Sequence, residues 1–193
     1  GYVSNIITLL LNAGLRYVFI MRLDETLLGI NSTYTNILSV LSLAELGVGT
    51  AINFSLYAPV ARHDKEKIKA YMQFYKKAYR MIAIVVAAVG LILVPFLKYI
   101  IKDPVGIDSN QDLINFYLIF LFNTVSSYFV AYKYSLPNAE QKNYIQSNVI
   151  TITKIVTTVV QIIVILATSS FYGYLISASV IELAQKIFAN IYL

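Results

Sequence analysis

The chain has 193 residues, of which 58% are hydrophobic and only 13% are charged, and its mean hydropathy is +0.68. This composition excludes an ordinary soluble domain and indicates an all-α integral membrane protein. Because there is no cysteine and only one histidine, ligands for thiolate or histidine metal sites are lacking, and we expect neither a metal nor another cofactor.

The apolar runs predict six membrane-spanning helices in a single lobe that comprises residues 1–193, since a helix needs about 20 residues to cross the hydrocarbon core. The predicted spans are 2–21, 33–58, 80–101, 113–132, 144–168 and 171–193. A short polar loop separates the first two spans, Pro137 breaks the helix after the fourth, and a very short turn joins the last two. The result is a polytopic six-helix bundle.

Basic residues set the orientation of this bundle. The stretch 60–80, VARHDKEKIKAYMQFYKKAYR, concentrates lysine and arginine, which is typical of the cytoplasmic side of a membrane. The amino terminus is then cytoplasmic, and the acidic loop of Asp103, Asp108 and Asp112 lies outside. This asymmetry explains the net charge of +5 better than nucleic-acid binding does.

The basic stretch itself has two interpretations. Its apolar residues Ile68, Met72, Tyr75 and Tyr79 recur at spacings of three and four, which predicts an amphipathic helix that lies on anionic lipid. A solvated loop whose charges only fix the topology is the alternative.

Polar residues recur at helical spacing in five of the six spans, so each set shares one face of its helix. The sets are Asn5, Thr8, Asn12 and Arg16; Ser39, Ser42, Glu45, Gly49 and Asn53; Asn115, Asn123 and Ser127; Ser147, Thr151, Lys154, Thr158 and Gln161; and Ser179, Glu182, Lys186 and Asn190. Only the third span lacks such a stripe, and we expect it to face lipid. The striped helices should turn toward each other or toward water, which predicts a polar pathway of the kind that a transporter uses.

Charges near the middle of a span cost about 2.5–3.5 kcal/mol each on insertion scales, so they need partners or a hydrated cavity. One interpretation is that they pair only with one another, Glu182 with Lys186 and Glu45 with Lys154. The other is that cationic groups such as Lys154 and Arg16 bind an anionic group, for example a phosphate. Arg16 lies closer to the end of its span and could simply extend to the interface.

Two stretches resemble a known family. They are 28–80, which contains LSLAELG, SLYAP and the basic stretch, and 127–149, SYFVAYKYSLPNAEQKNYIQSNV. Both are similar to the amino-terminal half of Wzx-type polysaccharide biosynthesis membrane proteins. These are lipid-linked oligosaccharide flippases, in the superfamily of the multidrug and toxin extruders and the lipid II flippases. The resemblance covers almost the whole chain.

The resemblance implies a MATE-like transporter of two six-helix lobes around a central cavity that opens alternately to each side. Because the chain starts at Gly1 rather than Met and stops within the apolar run IFANIYL, we expect it to be the first lobe of a longer protein whose second lobe is missing. The implied substrate is an undecaprenyl-pyrophosphate-linked oligosaccharide repeat unit, moved across the bacterial cytoplasmic membrane for capsule, exopolysaccharide or teichoic-type polymers.

The resemblance also bears on the candidate site. In such proteins the positions of Arg16, Arg22 and Glu45 carry polar or charged groups. Together with the stripes, this predicts a substrate pathway of Arg16, Arg22, Glu45, Asn53, Asn123, Lys154, Gln161, Glu182 and Lys186. Arg16 and Lys154 would hold the phosphate-sugar part, while Glu45 and Glu182 would balance charge or couple to ions.

Two other functions remain open. A multidrug or cation antiporter of the same superfamily would favour a cavity dominated by acids, whereas acids and bases are mixed here. A membrane enzyme acting on lipid-linked sugars would need a large outer catalytic loop or paired acids near the interface. Neither is visible, so we expect the protein not to be an enzyme. A purely structural membrane protein is a further alternative.

Overall fold

The structure is a computed structural model that describes residues 2–101 and 110–192, except for the side chains of 2–5, 7, 43–50, 52 and 53. The side chains of Glu45 and Asn53, and the loop residues Asp103 and Asp108, therefore lie outside the described residues. Within the described ranges every residue belongs to a helix or to a short connection between helices. The all-α prediction is confirmed for this part of the chain.

The helices follow one another with short turns. They are α1 (Tyr2–Arg22), α2 (Glu25–Ala61), α3 (Lys65–Leu93), α4 (Leu97–Ile100), α5 (Asn110–Ala131), α6 (Ser135–Ala139), α7 (Asn143–Thr168) and α8 (Phe171–Tyr192). Two 3₁₀ segments, Val94–Phe96 and Tyr132–Tyr134, join α3 to α4 and α5 to α6.

Three helical stretches among the described residues are long and apolar enough to cross a membrane: Lys65–Ile100, Asn110–Ala139 and Asn143–Thr168. They contain the third, fourth and fifth predicted spans. The other predicted spans coincide with α1, α2 and α8, but a bundle of six spans stays a prediction.

The solvated-loop interpretation of the basic stretch is wrong, because α3 already begins at Lys65. The connection from α2 consists of residues 62–64 alone, and the carboxylate of Asp64 caps α3 by accepting the backbone N–H of Lys67 at 3.1 Å. Likewise α2 begins at Glu25, eight residues before the predicted start of its span at residue 33.

The interfacial-helix interpretation also needs correction. Tyr75 and Tyr79 are buried in a cluster with Leu56 of α2, Tyr128 of α5 and Ala139 of α6, and Met72 packs against it. The apolar face of the basic stretch is therefore used for packing between helices, and the stretch continues directly into the third span rather than lying on lipid by that face.

The α-helix is interrupted near Pro137 as predicted, but the interruption precedes the proline: α5 ends at Ala131, and Pro137 itself lies inside the short helix α6. Proline offers no N–H to the carbonyl four residues earlier, here that of Lys133, and its ring crowds this carbonyl. The backbone changes from an α-helix to a 3₁₀ helix before the proline, at Tyr132–Tyr134. Pro95 lies in the other 3₁₀ segment, Val94–Phe96. Pro95 has no N–H to donate to the carbonyl of Leu91, which accepts the N–H of Val94 instead.

The bundle consists of two groups of helices. In one group α7 packs against α1 and α8, and in the other α3 packs against α2 and α5. The contact between α5 and α8 joins the groups, whereas α1 and α2 touch at few positions.

Buried tyrosines fasten the second group. The hydroxyl of Tyr34 in α2 donates to the carbonyl of Leu113 at 2.9 Å, and that of Tyr117 in α5 donates to the carbonyl of Gly90 in α3 at 3.1 Å. Both rings are fully buried. Each phenol thus satisfies its own polar group in an apolar setting while it links two helices.

Candidate functional site: a polar cavity between five helices

A cavity of about 720 Å³ lies between the two groups of helices, and α1, α2, α5, α7 and α8 all contribute to its wall. Most of its polar lining consists of uncharged amides and hydroxyls: Asn12, Asn31, Thr35, Ser42, Asn123, Thr124, Ser127, Thr153, Thr157, Thr158, Gln161 and Gln185. Of the described residues, none from α3 lines it. Several of these residues belong to the polar stripes predicted from the sequence, which therefore face the same cavity.

Lys186 is the buried charge of this site, with only 8% of its surface exposed. Its ammonium donates to the backbone carbonyl of Asn123 and to the hydroxyl of Ser126, both at 2.9 Å. The carboxylate of Glu182, one turn earlier on α8, lies 3.6 Å away. Three oxygens therefore surround Lys186, which fastens α8 to α5.

Lys154 differs from Lys186 although both line the cavity. Its side chain is exposed, and within the described part of the chain it forms no ion pair. Its predicted partner Glu45 lies outside the described residues. Among the described lining residues, Lys154 is thus the cation that is accessible to a bound anion.

Glu182 is the one carboxylate in the described lining of the cavity. Its side chain is 41% exposed even though it faces Lys186. Over the described residues, no three histidine, aspartate or glutamate side chains come close enough together to hold a metal ion.

Two buried oxygens in the wall have no hydrogen-bond partner among the described residues: Oδ1 of Asn123 and Oγ1 of Thr157. The amide nitrogen of Asn123 is used, since it donates to the hydroxyl of Ser179 at 2.9 Å. A buried polar atom without a partner costs about 1–3 kcal/mol.

The polar groups are distributed unevenly along the cavity. We use "Leu23 end" for the end of the bundle at the turns 23–24 and 169–170, and "His63 end" for the end at the turns 62–64 and 140–142. Lys154 lies near the middle of α7 and Lys186 lies in the half of α8 nearer the His63 end. Gln161, which donates to the carbonyl of Tyr174 at 3.4 Å, lies nearer the Leu23 end. Both lysines are therefore further from the Leu23 end than Gln161 is.

The structure brings together five of the predicted pathway residues in this wall: Asn123, Lys154, Gln161, Glu182 and Lys186. Arg16 and Arg22 are exposed and do not belong to the described lining. Nothing is described for the side chains of Glu45 and Asn53.

Sequence reasoning missed Asn31 and Thr35, which lie one turn apart on α2 and line the cavity with Ser42. Asn31 and Thr35 are four residues apart, and Thr35 and Ser42 are seven apart, so the three lie on one face of the helix. This face went undetected because the second span was predicted to begin at residue 33, so that Asn31 fell into a loop.

No protein-family model, curated protein or solved structure matches this chain. What the cavity accepts has to be inferred from the side chains in its wall.

Proposed function

We propose that this chain is the first lobe of a membrane transporter that flips undecaprenyl-pyrophosphate-linked oligosaccharide repeat units across the bacterial cytoplasmic membrane. The observation that carries the proposal is the cavity of about 720 Å³, in whose wall polar side chains from five helices lie among apolar ones. Its volume falls in the range of about 300–1,000 Å³ that is typical of ligand pockets. In this proposal six spans form the lobe, the amino terminus is cytoplasmic, and a second lobe of the same protein completes the cavity.

The uncharged part of the wall suits sugars. Sugar hydroxyls both donate and accept hydrogen bonds, and the amides of Asn31, Asn123 and Gln161 do the same. An oligosaccharide would in this way replace the water that a polar cavity otherwise holds.

Lys154 suits the pyrophosphate. An ammonium in a partly dehydrated site attracts phosphate oxygens more strongly than it does in bulk water. Because Lys154 lies near the middle of α7, the pyrophosphate would bind in the middle of the cavity, and the sugars would extend toward Gln161 and the Leu23 end. The lipid tail would remain in the bilayer.

Lys186 and Glu182 play other parts in this proposal. Lys186 is already held by three oxygens, so it maintains the joint between α5 and α8. Glu182 keeps a partly exposed carboxylate beside it, which balances charge in the cavity or couples transport to an ion. No bond of the substrate is made or broken, so the protein is not an enzyme in this proposal.

The proposal is tested with the full-length protein in cells that lack their own flippase. Surface polymer and trapped lipid-linked repeat units are measured for wild type, for Lys154→Gln, and for Lys77→Gln as a control that removes one lysine outside the cavity. We expect wild type and Lys77→Gln to restore export. Lys154→Gln should accumulate repeat units, with export reduced roughly tenfold, which corresponds to about 1.4 kcal/mol of lost binding to the transported group.

Membrane levels of the three proteins must be matched before they are compared. If wild type restores no export, the flippase proposal is wrong. Resistance to cationic drugs in those same cells would instead support the antiporter. If Lys154→Gln exports as well as Lys77→Gln does, Lys154 does not hold the substrate.

A further inference from the structure

Four basic residues of α3 share one exposed face of the helix. Lys65, Lys69, Lys76 and Arg80 are separated by four, seven and four residues, which places them within about 60° of one another around the helix axis. We name these four residues the basic stripe. All are exposed, and none forms an ion pair with a described residue. The one carboxylate of α3, Glu66, lies in its first turn, far from Lys76 and Arg80.

The other basic residues of this region are arranged differently. Lys67 points to another side of α3 and pairs with Asp64 at 3.4 Å. Lys77 follows Lys76 directly and therefore lies about 100° around the axis from it. Lys67 lies at the height of Lys65 and Lys69, and Lys77 lies at the height of Lys76. Both carry the same charge as the stripe residues, but they do not belong to the basic stripe.

The orientation of the basic stripe is fixed by packing on another face of α3. Tyr75 and Tyr79 are only 2% and 4% exposed, because they are buried against α2, α5 and α6. The helix cannot turn about its axis without exposing these rings. The stripe is consequently a rigid surface rather than a set of charges on a flexible loop.

The length of the helix places the stripe at the membrane surface. The 20 residues that follow Arg80, 81–100, span about 30 Å as a helix, which equals the thickness of the hydrocarbon core. Arg80 and Lys76 then lie in the headgroup layer. Exposed aromatic residues at the same level, Phe74 of α3 and Phe54 of α2 with 64% and 72% of their surface exposed, fit this interface.

The surface of α3 that follows Arg80, toward the interior of the membrane, is apolar. Ile84 and Leu91, one turn and three turns further along α3, are within about 40° of Arg80 around the axis and are 61% and 55% exposed. A cationic site at the headgroup level thus continues into exposed apolar surface on the same side of one helix. This combination fits a molecule with an anionic head and an acyl tail.

We propose that Lys76 and Arg80 bind the phosphate group of an anionic bilayer lipid whose acyl chain lies along Ile84 and Leu91, with Lys65 and Lys69 extending the positive field outward. Basic residues close to a membrane surface attract anionic headgroups. An acidic protein or free phosphate would use the charges but not the apolar surface below them. The lipid site is independent of what the cavity carries.

The test uses the full-length protein purified in a neutral detergent and titrated with phosphatidylglycerol, phosphatidylcholine or inorganic phosphate, with lipid retention measured by native mass spectrometry. Wild type should retain phosphatidylglycerol in preference to phosphatidylcholine, and inorganic phosphate should not displace it. The double variant Lys76→Gln/Arg80→Gln should weaken phosphatidylglycerol retention by at least about tenfold. The control Lys67→Gln/Lys77→Gln removes the same charge from other faces and should stay within about twofold of wild type.

Equal weakening by both double variants would show a general effect of charge and overturn the site, as would no weakening by either. Displacement by inorganic phosphate would also overturn it, because the site would then be a simple anion site. If Lys76→Gln/Arg80→Gln does not fold, Lys76→Arg/Arg80→Lys, which keeps both charges, is compared with Ile84→Ser/Leu91→Ser. The former should retain phosphatidylglycerol like wild type and the latter should lose it; the reverse order contradicts the proposal.

Discussion

At the scale of single residues, the two lysines of the cavity show how position decides what a charge does. Lys186 and Lys154 are both lysines in helices that line the same space. The first is buried and surrounded by oxygens of α5 and α8, and the second is exposed in the described structure. Lys186, which is buried and hydrogen-bonded, therefore stabilises the packing of α5 and α8. Lys154, whose ammonium is accessible, is available to bind a ligand.

This difference predicts opposite effects on stability. Lys186→Met leaves the carboxylate of Glu182 and the hydroxyl of Ser126 without their partner, so the free energy of unfolding should fall by about 1–3 kcal/mol. Lys154→Met should change it by less than about 0.5 kcal/mol, as exposed substitutions usually do. Thermal unfolding in detergent compares the two variants with wild type. An equal loss for both would mean that Lys154 has a structural partner and is not free for a ligand.

At the scale of elements, the start of α3 depends on a charged cap. The backbone N–H of Lys67, which donates to the side chain of Asp64 at 3.1 Å, is the main cause that holds the pKa of Asp64 below the ordinary value of an aspartate, and the charge of Lys67 contributes. A carboxylate stabilises the positive end of a helix only while it is ionised. The basic stretch is therefore helical partly because Asp64 precedes it.

The lowered pKa of Asp64 predicts a dependence on pH. Because the pKa is lower in the folded protein, the stabilisation is fully present above the ordinary aspartate pKa and is lost as the pH falls through the folded pKa. The protection factors of the Lys67 and Ile68 amides, that is, their exchange rates compared with those of an unstructured peptide at the same pH, should fall over that acidic range. In Asp64→Ala they should be low at every pH, and Glu66→Ala is the control that keeps the cap. Protection factors that do not change with pH in wild type would contradict this role.

The boundaries of some helices were predicted much more accurately than those of others. The difference depends on whether the residues at a boundary change from apolar to polar. The predicted spans 144–168 and 171–193 agree closely with α7 (Asn143–Thr168) and α8 (Phe171–Tyr192), since the polar turns 140–142 and 169–170 mark where these helices begin or end. In α3 the first four turns carry the basic residues and the rest is apolar, so hydropathy finds only the second part. The spacing of Ile68, Met72, Tyr75 and Tyr79 predicts a helix in the first part, but only the structure shows that it is continuous with the apolar part and packs against α2 and α5.

Close contacts between helices were beyond prediction. Gly90 of α3 faces Leu121 of α5 so closely that an added Cβ would lie 2.9 Å from the leucine Cδ2, and its carbonyl accepts the hydroxyl of Tyr117. A glycine in an apolar helix gives no sign of which neighbour it meets. Such contacts depend on the rotation of two helices relative to each other, which no single stretch of sequence contains.

At the scale of the whole molecule, the spacing of polar residues predicted which faces should meet, and it did so in particular for α5, α7 and α8. The amides of Asn123 and Gln161 lie on the cavity wall with Lys154. Arg16 and Arg22 were assigned to the same pathway, but they lie near the end of α1 at the Leu23 end, exposed and away from the described wall. Spacing along one helix determines a face, whereas the depth and closure of a cavity depend on how all five helices pack.

The most direct test of this account asks whether the polar cavity is filled with water inside the membrane. This chain contains no cysteine, so single cysteines can be introduced at adjacent positions of α7 and treated from both sides of the membrane with an impermeant thiol reagent. The pairs are Thr153→Cys and Thr157→Cys in the cavity wall, against Ile152→Cys and Val156→Cys, which are 62% and 44% exposed outside that wall.

We expect the two cavity positions to react at least about tenfold faster than their neighbours, because a thiol surrounded by hydrocarbon is neither hydrated nor ionised. Fast reaction at residues 153 and 157 with slow reaction at 152 and 156 would establish a hydrated path between the helices. Equal rates within the pairs, or faster reaction at 152 and 156, would contradict a water-filled cavity and with it the proposed transport.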